Sequence, residues 1–199
     1  MQIHKVISTI LHPIVIPTIG VMLYFLVIPN NLRSNQKLTV LGLIFVVTYL
    51  IPLVILIILK KINIIKSYKT ESIKERKLPV ALMITLFYLL GNTLNKTSSL
   101  SDLSLLFYAT SFGLFIIYLL FNFKIKASIH LLSLGISIGF FMVLSSVYNQ
   151  NFTVLIIVFI LLSGILASAR LHLKAHTNKE IYIGFFVGIL SNLGMYYIL

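Results

Sequence analysis

Three short polar clusters interrupt an otherwise apolar sequence, and they hold most of the side chains able to do chemistry. The first runs from Lys69 to Pro79 and reads KTESIKERKLP. The second is Lys126-Ala-Ser128-Ile-His130, and the third runs from Ala169 to Gly184 as ARLHLKAHTNKEIYIG. Together they offer Lys69, Arg76, Lys126 and Arg170 as cations, Ser128 as a hydroxyl, His130 and His176 as imidazoles, and Glu180 as a carboxylate. Fixed cations and hydroxyl donors suit the oxygens of a phosphate, and a pair of imidazoles suits group transfer and proton movement.

The spacing in the third cluster has mechanical content. A helix begun near His176 would set Glu180 one turn further on, on the same face. A carboxylate there can accept a hydrogen bond from one ring nitrogen and leave the other unprotonated and able to attack. Glu180 is the acid close to His176 in sequence; Glu71 and Glu75 belong to the first cluster, and Asp102 falls on the far side of the membrane. His172 and His176 have the i, i+4 spacing of a metal pair, but no further acid or Cys completes a site, so neither a metal nor another cofactor is expected. His12 reads as a packed polar residue near an interface. Lys60, Lys61, Lys66, Lys74, Lys77, Lys124 and Lys179 read as anchors at the lipid boundary.

The elements that must position these groups follow from composition. Of 199 residues, 59% are hydrophobic and 10% charged, against roughly 25% charged in a typical soluble domain. Mean hydropathy is +1.05. A water-soluble chain of this size has too little interior to hide so much apolar surface, which leaves an all-α polytopic membrane bundle of about six to seven transmembrane helices, a single domain over residues 1–199. Seven apolar stretches can be read: Val6–Ile28, Leu38–Leu59, Pro79–Leu94, Leu103–Phe121, Ser128–Val147, Phe152–Ser168 and Ile181–Leu199. None contains Lys, Arg, Asp or Glu, as the cost of a charge at the bilayer centre demands. The first is too long for a cleavable signal h-region and reads as a crossing bent by Pro13 and Pro17. Gly135 with Gly139, and Gly184 with Gly188, form G-x-x-x-G faces that would let the fifth and seventh stretches approach closely and bring His130 to His176.

Seven crossings place all three polar clusters on one side. Of the sixteen Lys and Arg residues, all but Arg33, Lys37 and Lys96 fall there, so the positive-inside rule makes it the cytoplasmic side. The formal charge of +12 suits anionic headgroups or an anionic substrate. Nucleic acid is not expected as a partner, because the basic residues sit between spans and form no soluble module. With no Cys there is no disulfide and no thiolate chemistry.

The run R-x-x-x-x-x-H-x-x-x-E-x-x-x-G from Arg170 to Gly184 resembles the third motif of the type-2 phosphatidic acid phosphatase superfamily, integral-membrane lipid phosphate phosphatases with a haloperoxidase-like helical fold. Ala127-Ser128-Ile129-His130 is similar to the second motif, P-S-G-H, and Lys69 to Arg76 is similar to the first, with six residues between the Lys and the Arg. The motif order agrees, and the resemblance covers roughly residues 69–188. The sequence departs from the pattern at Ala169 (Ser in the family), Glu180 (Asp), Ala127 and Ile129 (Pro and Gly) and in the later position of Pro79; two spans also separate the first two motifs.

The resemblance implies a membrane-bound hydrolase acting on a lipid phosphate or diphosphate monoester. His176 would be the nucleophile, Glu180 its orienting carboxylate and His130 the general acid and base. Lys69, Arg76, Ser128 and Arg170 would hold the phosphoryl oxygens, with Lys126 a helper, and no metal would be needed. The alternative is a catalytically degenerate member of the same fold, or a non-enzymatic transporter or scaffold. The expected location is a bacterial inner membrane; the charge count places the site on its cytoplasmic side, whereas the better-known bacterial members of the family work at the outer face. Neither the particular lipid nor the oligomeric state follows from the sequence.

Overall fold

The computed structural model describes residues 2–68, 70 and 72–199. It is all-helical, and six of the helices described are long and apolar enough to cross a membrane, the architecture of a multi-pass membrane protein. We number the helices α1 (Gln2–Ile10), α2 (Ile16–Val27), α3 (Ser34–Lys61), α4 (Ile73–Asn95), α5 (Ser101–Leu120), α6 (Ile129–Tyr148), α7 (Thr153–His172) and α8 (Asn178–Ile198). Leu26, Val54, Leu161 and Tyr197 are among many large apolar side chains left exposed, as a bilayer solvent permits.

The first apolar stretch departs from the expectation of one bent crossing. It is two helices, α1 and α2, separated by the turn at residues 11–15. Pro13 has no N–H to give a preceding carbonyl and crowds the turn before it, so the helix stops. Pro17, in the first turn of α2, is where proline costs nothing. The two shorter stretches draw their polar flanks into the helix: Pro79–Leu94 lies within Ile73–Asn95, and Phe152–Ser168 is carried on to His172. In α3 the turn at Val46–Leu50 widens to a π-helix just before Pro52, which accommodates the missing N–H.

Two polar ties fix the ends of the bundle. At one end the Tyr24 and Tyr148 hydroxyls both donate to Asp102 Oδ2, at 2.9 and 2.6 Å, joining α2, α6 and α5. At the other, Arg170 Nη1 donates to Ser8 Oγ at 2.9 Å and the His4 and His172 rings stack at 4.4 Å, so α1 lies along the last turns of α7. α2 therefore runs between the two ends.

The central pairing is α6 against α8. It is built on the small residues singled out in the sequence: a Cβ placed on Gly135 or Gly188 would collide with the carbonyls of Phe185 and Leu132, and one on Gly139 would lie 2.8 Å from that of Ile189. Without a hydrophobic drive between helices in lipid, backbone contact this close maximises dispersion. The same approach sets the height of the two N-terminal ends relative to each other, which is where His130 and His176 sit.

Candidate active site

Thr177 caps α8, with extended backbone and its Oγ1 accepting the Glu180 N–H at 3.4 Å. Glu180 returns the bond: its Oε2 accepts the Thr177 N–H at 3.1 Å, completing a capping box. The same oxygen lies 3.1 Å from His176 Nδ1. The pairing of His176 and Glu180 thus arises from helix-cap geometry, since His176 precedes the helix and does not lie on its face.

The His176 side chain is 1% exposed. Burial, and then the positive charges of Arg76 and Arg170, push its pKa down to about 4, against the opposing pull of Glu180. At neutral pH the ring is uncharged; it donates from Nδ1 to the carboxylate, and the lone pair rests on Nε2.

His130 stands in the first turn of α6, two residues past the cap residue Ser128. The Ser128 N–H donates to the Glu180 carbonyl at 2.9 Å, and Gly184 lets α8 pass directly over the Ser128 carbonyl. The start of α6 is therefore clamped to the start of α8, and with it the second imidazole to the first. Arg76, Arg170, His12 and His176 all lie close enough to act electrostatically on His130. Arg76, 8% exposed, donates from Nε to the Thr70 carbonyl at 2.7 Å.

These groups surround the mouth of a cavity of about 1000 Å³, whose walls there include Arg76, Arg170, Lys126, His12, His130 and His176. Glu180 faces the opposite side of His176, bordering a shallow depression shared with Lys126 and Lys174. Ser128 lies behind the wall, fully buried. Lys69 lies outside the described residues. The structure thus gathers both imidazoles, both arginines and Lys126 at one cavity, with Glu180 behind His176 and Ser128 off the wall.

Buried polar atoms almost always have partners. Among the described residues five buried side-chain atoms have none within the protein, and three of them, Ser128 Oγ, His130 Nε2 and Arg170 Nε, belong to this region. Arg170 Nε–H can only donate, so an acceptor oxygen is the group that would satisfy it.

His12 is packed and polar, as its sequence context suggests, but its partner is not readable there. It stands in the turn between α1 and α2, on the cavity wall, with its ring edge-on to His130 at 5.0 Å between centroids. Its Nδ1 accepts from the Ile14 N–H at 3.4 Å. Nothing in the local sequence signals a contact across more than a hundred residues; the adjoining Pro13, which forces the turn, was the available hint. No family model, curated protein or solved structure matches the chain.

Proposed function

We propose that the chain is a membrane-embedded phosphatase that hydrolyses a lipid phosphate or diphosphate monoester, without a metal, through a phosphohistidine at His176. One observation carries the reading: a neutral imidazole oriented by a carboxylate, a second imidazole, the buried Arg76 and the half-buried Arg170 meet at one cavity, among polar atoms that lack partners in the protein.

His176 Nε2 attacks phosphorus, and the bond to the ester oxygen breaks. The phosphate brings the negative charge that lets His130 hold a proton between Arg76 and Arg170, and His130 delivers that proton to the departing oxygen. In the second step His130 takes a proton from water, the hydroxide attacks phosphorus, and the N–P bond breaks to return neutral His176 and free phosphate. Arg76 and Arg170 match the charge on the equatorial oxygens throughout, which is where most catalysis of phosphoryl transfer originates. Glu180 stabilises the ring while it carries the phosphoryl group.

The competing reading is a non-catalytic transporter or scaffold on the same helices, favoured by Ser128 lying off the cavity wall. Purified protein with a panel of lipid phosphates and a chelator separates the two: phosphate release by the native chain, absent in His176→Ala at equal expression, supports hydrolysis, and equal release by both contradicts it. The proposed setting is a bacterial inner membrane with the cavity mouth on the cytoplasmic side, from the distribution of cations.

A further inference from the structure

We infer that the substrate's hydrocarbon chain is held inside the helix bundle, in the apolar continuation of the cavity below His130, and that this space limits the chain length accepted. The inference rests on the phosphatase reading and names its substrate class: a phosphomonoester of one long hydrocarbon chain.

The cavity does not end at the polar mouth. On α6 its wall runs from His130 to Phe141, and on α4 from Arg76 to Phe87. Each of these spans is ~16 Å at 1.5 Å per residue, so two helices give the same depth independently. That depth is close to one leaflet of a hydrocarbon core ~30 Å thick, and hence to one lipid chain. The far end is aromatic, lined by Phe87, Phe140 and Phe141, all buried.

Below the mouth the walls offer an anionic ligand no free donor. The hydroxyls there spend their protons within the protein: Thr110 donates to the Leu106 carbonyl at 2.8 Å, Ser133 to that of His130 at 2.8 Å and Ser137 to that of Ser133 at 3.1 Å, and Thr48 Oγ1 pairs with Thr18 Oγ1 at 3.3 Å. A soluble phosphate or sugar phosphate would gain little below the mouth, and a largely apolar space of this kind is poorly filled by water. A hydrocarbon chain fits both the chemistry and the length.

Gly20 on α2 marks the space from the other side. It is buried and lines the cavity, yet a Cβ added there would meet no atom within 4 Å. A side chain at this position therefore begins in open space on the cavity wall.

The test compares the native chain with Gly20→Leu in phosphatidylcholine nanodiscs, on linear alkyl monophosphates from butyl to hexadecyl. The expected result is a variant-to-native ratio of kcat/KM that falls at least about tenfold between the shortest and longest chains, with Gly164→Ala, outside the cavity, following the native profile. A ratio independent of chain length overturns the inference, because the tail would then lie in the bilayer.

A second arm does not depend on turnover or on the variant. Hexadecyl phosphate with a terminal diazirine, photolysed on the native protein, should label the far end around Phe140 and Phe141, and dodecyl phosphate should compete. Labelling confined to lipid-facing residues such as Val54 or Leu161 overturns the inference. Absence of hydrolysis at every chain length with far-end labelling intact would instead count against the catalytic reading alone.

Discussion

His176 Nδ1 and Glu180 Oε2 lie 3.1 Å apart, and that same oxygen accepts the Thr177 N–H at the start of α8. One carboxylate therefore both caps a helix and orients an imidazole, and the two roles can be separated by mutation. Glu180→Gln keeps an acceptor for both bonds and removes the charge that balances a phosphorylated ring. The expected outcome is a fall in kcat of about 10²-fold with little change in melting temperature. Glu180→Ala should match that loss and also destabilise the fold by about 1 kcal/mol through the broken cap. Thermal unfolding beside steady-state kinetics distinguishes them.

The pH dependence follows from the charges around His176. Its pKa is held down to about 4 by burial and by Arg76 and Arg170. Acid protonates Nε2 and would remove the proposed nucleophile, so the acidic limb of kcat/KM assigned to this group should lie well below the ordinary imidazole value of about 6.5. Arg76→Gln removes one of the cations that disfavour the protonated ring. Its acidic limb should move to higher pH, alongside a lower maximum from weaker phosphate binding. A limb unmoved or moved to lower pH would contradict the assignment.

The α6–α8 contact makes a structural prediction. A methyl on Gly135 would meet backbone alone, the Phe185 carbonyl first and then Gly188 Cα and Ile189 N at 3.2 Å, and backbone cannot turn aside as a side chain can. Gly135→Ala should cost about 1–3 kcal/mol, the usual range for overpacking, and should lower activity by parting the two imidazole-bearing ends. Gly164→Ala and Gly194→Ala, where a Cβ meets nothing within 4 Å, should be silent. Unfolding curves of the three variants check this.

Much of this arrangement is legible in the sequence because lipid imposes strict rules. Charges are excluded from spans, so the apolar stretches announce the six long helices, and glycines four apart announce the close helix pair. The i, i+4 spacing correctly joined His176 to Glu180, though for a reason better read from Thr177-x-x-Glu180, the capping-box signature. What stayed hidden depends on tertiary placement. The break after Ile10 folds α1 back onto α7 and carries Ser8 and His12 into the site, and neither residue has a local signal for partners as distant as Arg170 and His130. Ser128 had the opposite fate: its place in a motif-like run suggested a phosphate ligand, but the close passage of Gly184 buries it behind the wall.

Orientation can be tested directly, because the chain has no native Cys. In intact cells Ser67→Cys should react with permeant maleimides and resist an impermeant reagent added outside. Blocking from outside would place the cavity mouth on the opposite face from the one the cation distribution favours.

The most direct measurement is capture of the proposed phosphohistidine. Purified protein is mixed with a radiolabelled long-chain alkyl phosphate in chelator, quenched in base within the first turnovers, and mapped by mass spectrometry. The account predicts a phosphoryl group on His176, absent in His176→Ala and longer-lived in His130→Ala, where water is no longer activated. Turnover that continues in His176→Ala, or a label on any other side chain, would contradict it.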